Sequence, residues 1–166
     1  MVVNKAPMGW NTWNTFGPNI NEKIIMEAAD AMVEKGLLDA GYEYLVIDDC
    51  WSLKQRDPVT RRLVADPVKF PNGMKAVADY IHSKGLKFGM YSCAGVRTCG
   101  DYPGSFDHEF IDAETFAEFG IDFLKYDYCY RSSSTTGPIL YHRMANALRA
   151  TSRDIVFSAC NWGKDD

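Results

Sequence analysis

The stretch ADYIHSKGLKFGMYS (residues 78–92) runs from a helical pattern through a glycine into a short apolar run. Ala78 and Ile81 close a helix that begins near PNGMKAV (71–77), Gly85 sits at the junction, and GLKFGMYS (85–92) reads as a buried strand. Helix, glycine and strand in that order form half of a βαβ unit, and the pattern repeats in both directions. Upstream, YEYLVIDD (42–49) is a second strand. It is preceded by a helix that starts at Asn21-Glu22, runs through Ile24, Ile25, Ala28, Met32 and Leu37, and stops before Gly41. The run from Met8 to Trp13 is the first strand. Downstream come a short helix from Asp112 to Phe119, the strand DFLKYD (122–127), a helix from Pro138 to Thr151 with proline near its first turn, and the strand DIVFSAC (154–160). The expectation is five strands and four helices.

Strand ends at Asp48-Asp49, Ser92, Asp127 and Cys160 are each separated by about one βα unit, so right-handed crossovers feed a parallel sheet. A doubly wound sheet fits this order as well. Two features favour the α/β TIM (β/α)8-barrel type: acidic and polar residues crowd the C-terminal strand ends, where barrel enzymes build their sites, and no GxGxxG or GxxxxGK[ST] loop follows the first strand. A whole barrel needs roughly 250 residues, so residues 1–166 are read as an incomplete barrel.

Composition narrows the function. The chain is 46% apolar, 24% charged and 13% aromatic, which supports a packed core. With 18 Lys+Arg against 22 Asp+Glu, its net charge is -4 and no basic block gathers, so nucleic acid is not an expected partner. No apolar run approaches the roughly 18 residues of a membrane span. MVVNKAPMGW lacks the charged and apolar regions of an export signal, so a cytoplasmic location is expected of the chain as given, and a secreted or lysosomal one if the N-terminus is processed. Five scattered cysteines without a CxxC pair argue against a disulfide-dense scaffold and against zinc, leaving one disulfide or free thiols.

Lys125 and Asp127 lie two apart on the fourth strand, so the pleat puts both on one face at its C-terminal end. A lysine beside a carboxylate favours the ionised form that a nucleophile needs; an ordinary ion pair at a strand end has the same spacing. Asp48 and Asp49 follow the apolar run Leu45-Val46-Ile47, and adjacent strand residues can share one site only if the chain turns there. Such a pair suits sugar hydroxyls or a hard cation. No further acidic or histidine cluster completes a cation cage, so hydroxyl recognition is preferred and neither metal nor cofactor is expected. Trp10, Trp13, Trp51, Tyr91, Tyr126 and Tyr128 accompany the carboxylates, as flat apolar rings would for a pyranose; Trp13 and Tyr126 read better as packing.

MGWNTW (8–13), DAGYEYLVIDDCW (39–51), ADPVKFPNGMKAVADYIHSKGLKFGMYS (65–92), TCGDYPGS (98–105) and DFLKYDYCY (122–130) together resemble glycoside hydrolase family 27, the α-galactosidases and α-N-acetylgalactosaminidases, in order and spacing over nearly the whole chain. The resemblance implies an N-terminal (β/α)8 barrel. It makes Asp127 the catalytic nucleophile and Lys125 a sugar contact that supports it. It makes Asp48 and Asp49 the acceptors for the galactose 4- and 6-hydroxyls, and Trp10 and Tyr91 aromatics lining the sugar. It pairs Cys99 with Cys129 in a disulfide and leaves Cys50 free, because the region from Trp10 to Gly17 holds no cysteine. Asn161 stands where many relatives have glutamate, at a position that helps read the 2-substituent of the sugar; Cys93 stands where many have aspartate.

The implied chemistry is retaining hydrolysis of terminal α-linked galactose, in which Asp127 forms a covalent glycosyl-enzyme and a second carboxyl group protonates the leaving oxygen. The family's acid/base aspartate lies beyond strand five, so Asp165 and Asp166 are not assigned that role. The 166-residue chain alone is expected to be nearly inactive, since loss of a general acid commonly costs about 10²- to 10⁴-fold. The alternatives are an α-N-acetylgalactosaminidase and a non-catalytic half-barrel that binds galactosides or only assembles. Open edges on strands one and five lead to the expectation of a homodimer or larger assembly.

Overall fold

The computed structural model describes residues 5–164. Its elements are β1 (Gly9–Asn11), α1 (Trp13–Phe16), α2 (Glu22–Glu34), β2 (Tyr44–Val46), α3 (Gly73–Ser83), β3 (Lys87–Cys93), α4 (Glu109–Phe119), β4 (Phe123–Asp127), α5 (Gly137–Ala150) and β5 (Val156–Ala159). The five strands form one parallel sheet in the order β1-β2-β3-β4-β5. No helix among the described residues is long and apolar enough to cross a membrane.

The helix signals in the sequence act as physical caps. The Asn21 side chain accepts a hydrogen bond from the Ile24 amide at 3.0 Å and starts α2. Gly120 ends α4 at φ 84, in the left-handed region where a side chain would be strained. One element departs from expectation. The apolar run from Met8 to Trp13 is not all strand: β1 is only three residues long, and the chain then turns into the added helix α1. The Asn11 side chain makes that turn by accepting from the Trp13 amide at 2.9 Å. Trp13 is therefore 39% exposed rather than packed, whereas Tyr126 is fully buried as expected.

The strand pleat sorts side chains into two layers. Leu45, Phe88, Met90, Leu124 and Tyr126 face the helices and join the main core with Ile25, Val77, Ile81, Phe116 and Met144. Tyr44, Val46, Phe123 and Val156 form a second cluster on the opposite face, the inside of the barrel. Register places Tyr91 beside Lys125 and Cys93 beside Asp127. Since Phe123 is on the inner face, Lys125 and Asp127 follow it there, which directs the chemistry of β4 into the barrel mouth.

Candidate active site

Asp127 ends β4 and is 7% exposed. Its Oδ1 accepts the Tyr128 amide and the Trp162 indole N–H, both at 2.8 Å, and its Oδ2 accepts the Tyr91 hydroxyl at 3.0 Å. Three neutral donors therefore stand in for the water this carboxylate gives up. Burial and the charge of Asp127 hold the Tyr91 phenol well above its usual range, keeping it a donor. The Cys160 thiol is likewise pushed up, first by burial and then by Asp127.

Lys125 points elsewhere. Its Nζ lies 2.8 Å from Asp48 Oδ2 and above the Tyr91 ring, so its cation serves the acidic pair and not the carboxylate two residues along. Asp48 also accepts from Asn11 Nδ2 at 2.8 Å and from the Asp49 amide at 2.9 Å, while its own amide donates to Thr12 Oγ1. The chain does turn after the pair: Cys50 adopts φ 72. That turn lets Asp49 take the Cys50 amide on Oδ1 and the Gly100 amide on Oδ2, both at 2.7 Å. Burial raises the Asp49 carboxyl, opposed chiefly by the Gly100 amide. A carboxylate has about four acceptor sites, so Asp48 and Asp49 each keep capacity for a hydroxyl beyond these bonds.

Cys99 and Cys129 form a disulfide, with Cα atoms 5.3 Å apart, that ties the loop after β3 to the segment after β4. Cys99 Sγ lies 4.0 Å from Asp127 Oδ2. Cys99, Asp127 and Cys129 form a group of donor atoms within 4.8 Å of one another, but two of the three are spent in the sulfur–sulfur bond. Cys50, Cys93 and Cys160 are free thiols. Cys93 is fully buried; its thiol lies 2.9 Å from the Cys129 carbonyl oxygen and receives the Gly95 amide at 3.2 Å, and burial pushes it up to about 12. Cys93 thus braces the same two segments as the disulfide, and its burial favours the protonated thiol.

Asp48, Asp49, Tyr91, Lys125 and Asp127 therefore gather at the C-terminal ends of β2, β3 and β4. Trp10 packs edge-on against Phe16, with centroids 5.8 Å apart, and Asn161 donates its amide to the Lys164 carbonyl at 2.6 Å. Asp165 and Asp166 lie outside the described residues. Sequence reasoning passed over Trp162, which contacts Asp127, and Asn11, which contacts Asp48. An isolated tryptophan just past a strand end, beside the already suspect Asn161, was the available signal for the first; nothing in spacing alone marks the second.

Residues 5–165 match the family model described as "Alpha galactosidase A". The chain belongs to this α-galactosidase family, glycoside hydrolase family 27. Among members of the family, α-galactosidase mel1 of Schizosaccharomyces pombe is 51% identical over 165 residues, covering 97% of this chain and 38% of its own length. The crystal structure of α-galactosidase I from Mortierella vinacea superposes with a TM-score of 0.92 at 49% identity, covering 96% of this chain and 41% of that one. The Saccharomyces cerevisiae α-galactosidase solved with raffinose gives 0.90 at 47% identity, with 96% and 36% covered. The chain spans less than half the length of these family members, and its five-stranded sheet matches the N-terminal part of their barrels.

Proposed function

We propose that residues 1–166 are the N-terminal portion of a barrel catalytic domain that hydrolyses terminal α-linked galactose with retention. The observation that carries this reading is the buried Asp127 carboxylate, held by three donors and facing the barrel interior beside Asp48, Asp49 and Lys125. Family membership and the raffinose-bound Saccharomyces relative support the substrate class.

In this reading Asp48 and Asp49 accept sugar hydroxyls, and Lys125 both fixes Asp48 and offers remaining donors to the sugar. Asp127 attacks the anomeric carbon, giving a covalent glycosyl-enzyme that water later hydrolyses; the acid/base partner belongs about 5 to 5.5 Å from it. Cys99–Cys129 keeps the loop bearing Gly100, and through it Asp49, registered on the nucleophile strand.

The test is pre-steady-state hydrolysis of an activated aryl α-galactoside, whose leaving group scarcely needs a proton. A burst of aryl release that disappears in Asp127→Asn supports the assignment. A burst that persists in that variant overturns it.

We further propose that the isolated 166-residue chain associates with a second copy through the sheet edges β1 and β5, each of which has one neighbour in the sheet. An apolar groove beside β1, formed by Trp10, Phe16, Ala28, Ala31, Met32 and Leu37, supports this. Light scattering decides it: a dimer or larger species is expected, and a stable monomer overturns it.

A further inference from the structure

Trp162 combines three features that rarely coincide. Its ring is 56% exposed, its backbone adopts φ 59, and its indole nitrogen donates to the buried Asp127 at 2.8 Å. Positive φ in a bulky residue is uncommon and costs on the order of 1–3 kcal/mol, so it persists where the surroundings impose it. The ring is anchored at one end by its hydrogen bond and packs T-shaped against the Tyr128 ring, with centroids 6.2 Å apart.

The donors around Asp127 are unevenly divided. Oδ1 receives two N–H groups, from Tyr128 and Trp162, whereas Oδ2 receives the Tyr91 hydroxyl and no N–H group among the described residues; the Cys160 thiol also hydrogen-bonds this carboxylate. The nearest lysine on the strand is committed to Asp48. Two N–H donors draw electron density onto Oδ1 and immobilise it; the oxygen with fewer donors has the freer lone pair.

We infer that Trp162 is a positioning residue that anchors Oδ1 and leaves Oδ2 as the attacking oxygen of Asp127. This rests on the proposed glycosidase reading. With an aryl α-galactoside, an Oδ2 lone pair forms the bond to the anomeric carbon while the bond from that carbon to the aryl oxygen breaks, and the aryl oxide leaves with the electron pair. In the resulting ester Oδ1 is the carbonyl oxygen, still held by Trp162 and Tyr128. When water then bonds to the anomeric carbon and releases its proton to solvent, the bond from that carbon to Oδ2 breaks with its electron pair on Oδ2, and the same two donors stabilise the regenerated carboxylate.

Two measurements on the full 166-residue chain test this, one of them independent of activity. In the first, the four indole N–H resonances are recorded by heteronuclear NMR and the Trp162 signal is assigned with Trp162→Phe. That signal should lie downfield and shift by several tenths of a ppm in Asp127→Asn and in Asp127→Ala; an unmoved signal in both overturns the anchoring.

In the second, covalent labelling by a mechanism-based galactosyl inactivator is compared between wild type and Trp162→Phe, which keeps an aromatic ring and removes the N–H. The maximal labelling rate should fall about tenfold, with the half-saturating inactivator concentration changed less than about twofold. An unchanged rate, or a change confined to half-saturation, overturns the positioning role. Absence of labelling in the wild type counts against the glycosidase reading of the isolated chain, and the indole measurement then decides the anchoring alone.

Discussion

Lys125 on β4 reaches across β3 and closes its ion pair on Asp48 at the end of β2, 2.8 Å away. The pair spans β3 and links two strand ends that share no direct hydrogen bonding in the sheet. The Asp48 side chain is 3% exposed and that of Lys125 26%, so the charge left behind on removing the lysine is the more deeply buried one. Lys125→Met should therefore destabilise the chain by about 1–3 kcal/mol. Urea unfolding of Lys125→Met, Asp48→Asn and the double variant measures it. The double variant should lose clearly less than the sum of the singles, and strict additivity would refute the coupling.

The disulfide between Cys99 and Cys129 closes a segment with a sequence separation of 30. On loop-closure entropy alone this is worth roughly 3–4 kcal/mol. The double variant Cys99→Ser/Cys129→Ser should lose about that much stability, and reductant should lower the melting temperature of the wild type but not of the variant. Equal sensitivity of both proteins to reductant would show that the bond contributes nothing.

Much of this arrangement was legible in residue order. Gly41, Gly85 and the apolar runs at 42–49, 85–92 and 122–127 placed the strands because a buried parallel strand is short, apolar and bounded by helix stops. The same-face reading of Lys125 and Asp127 followed from the pleat. The partner of Lys125 did not, because side-chain reach across β3 depends on three-dimensional stagger that a period of two cannot encode. The helix at Trp13–Phe16 was hidden for a related reason: Met8, Trp10 and Trp13 read as one apolar run, and the Asn11 side chain, bonded to the Trp13 amide, tells where the strand stops. The position of Trp162 just past a strand end could have marked it, but its contact with Asp127 accompanies a positive φ that no composition rule anticipates for tryptophan.

Gly95 lies where the loop after β3 passes against the segment after β4. A Cβ there would sit 2.0 Å from the Cys129 carbonyl oxygen and 2.4 Å from that of Tyr130, both backbone atoms that cannot swing aside. Gly95→Ala should cost more than about 3 kcal/mol or abolish soluble folding, and it should shift the Cys93 thiol environment, because Gly95 donates to that sulfur. Gly36 provides the control, with φ 73 and nothing within 4 Å of its added Cβ; Gly36→Ala should cost only about 1 kcal/mol, from backbone strain. Similar losses in the two variants, read by chemical denaturation, would contradict the close approach.

Glu43 lies between β1 and β3 at the N-terminal end of the sheet, remote from the carboxylates of the site, and should titrate without touching them. Lys5 and Lys87 both donate to its carboxylate, Lys87 at 2.8 Å, and these hydrogen bonds hold its pKa down to about 2, against an ordinary value of 4.5. The folded chain therefore binds fewer protons at this group than the unfolded chain between those limits, and stability rises with pH across that window. The contribution is complete above about pH 4.5 and lost as pH falls through about 2. Because Lys5 and Lys87 are largely exposed, solvent screening reduces it to about 1 kcal/mol or less, and added salt should reduce it further. Glu43→Gln should accordingly be less stable than wild type at pH 6 and equal to it near pH 2, with the gap at pH 6 narrowing in 1 M salt. A gap that widened on acidification would mean that Glu43 is raised and not lowered, and would reverse the sign of the argument.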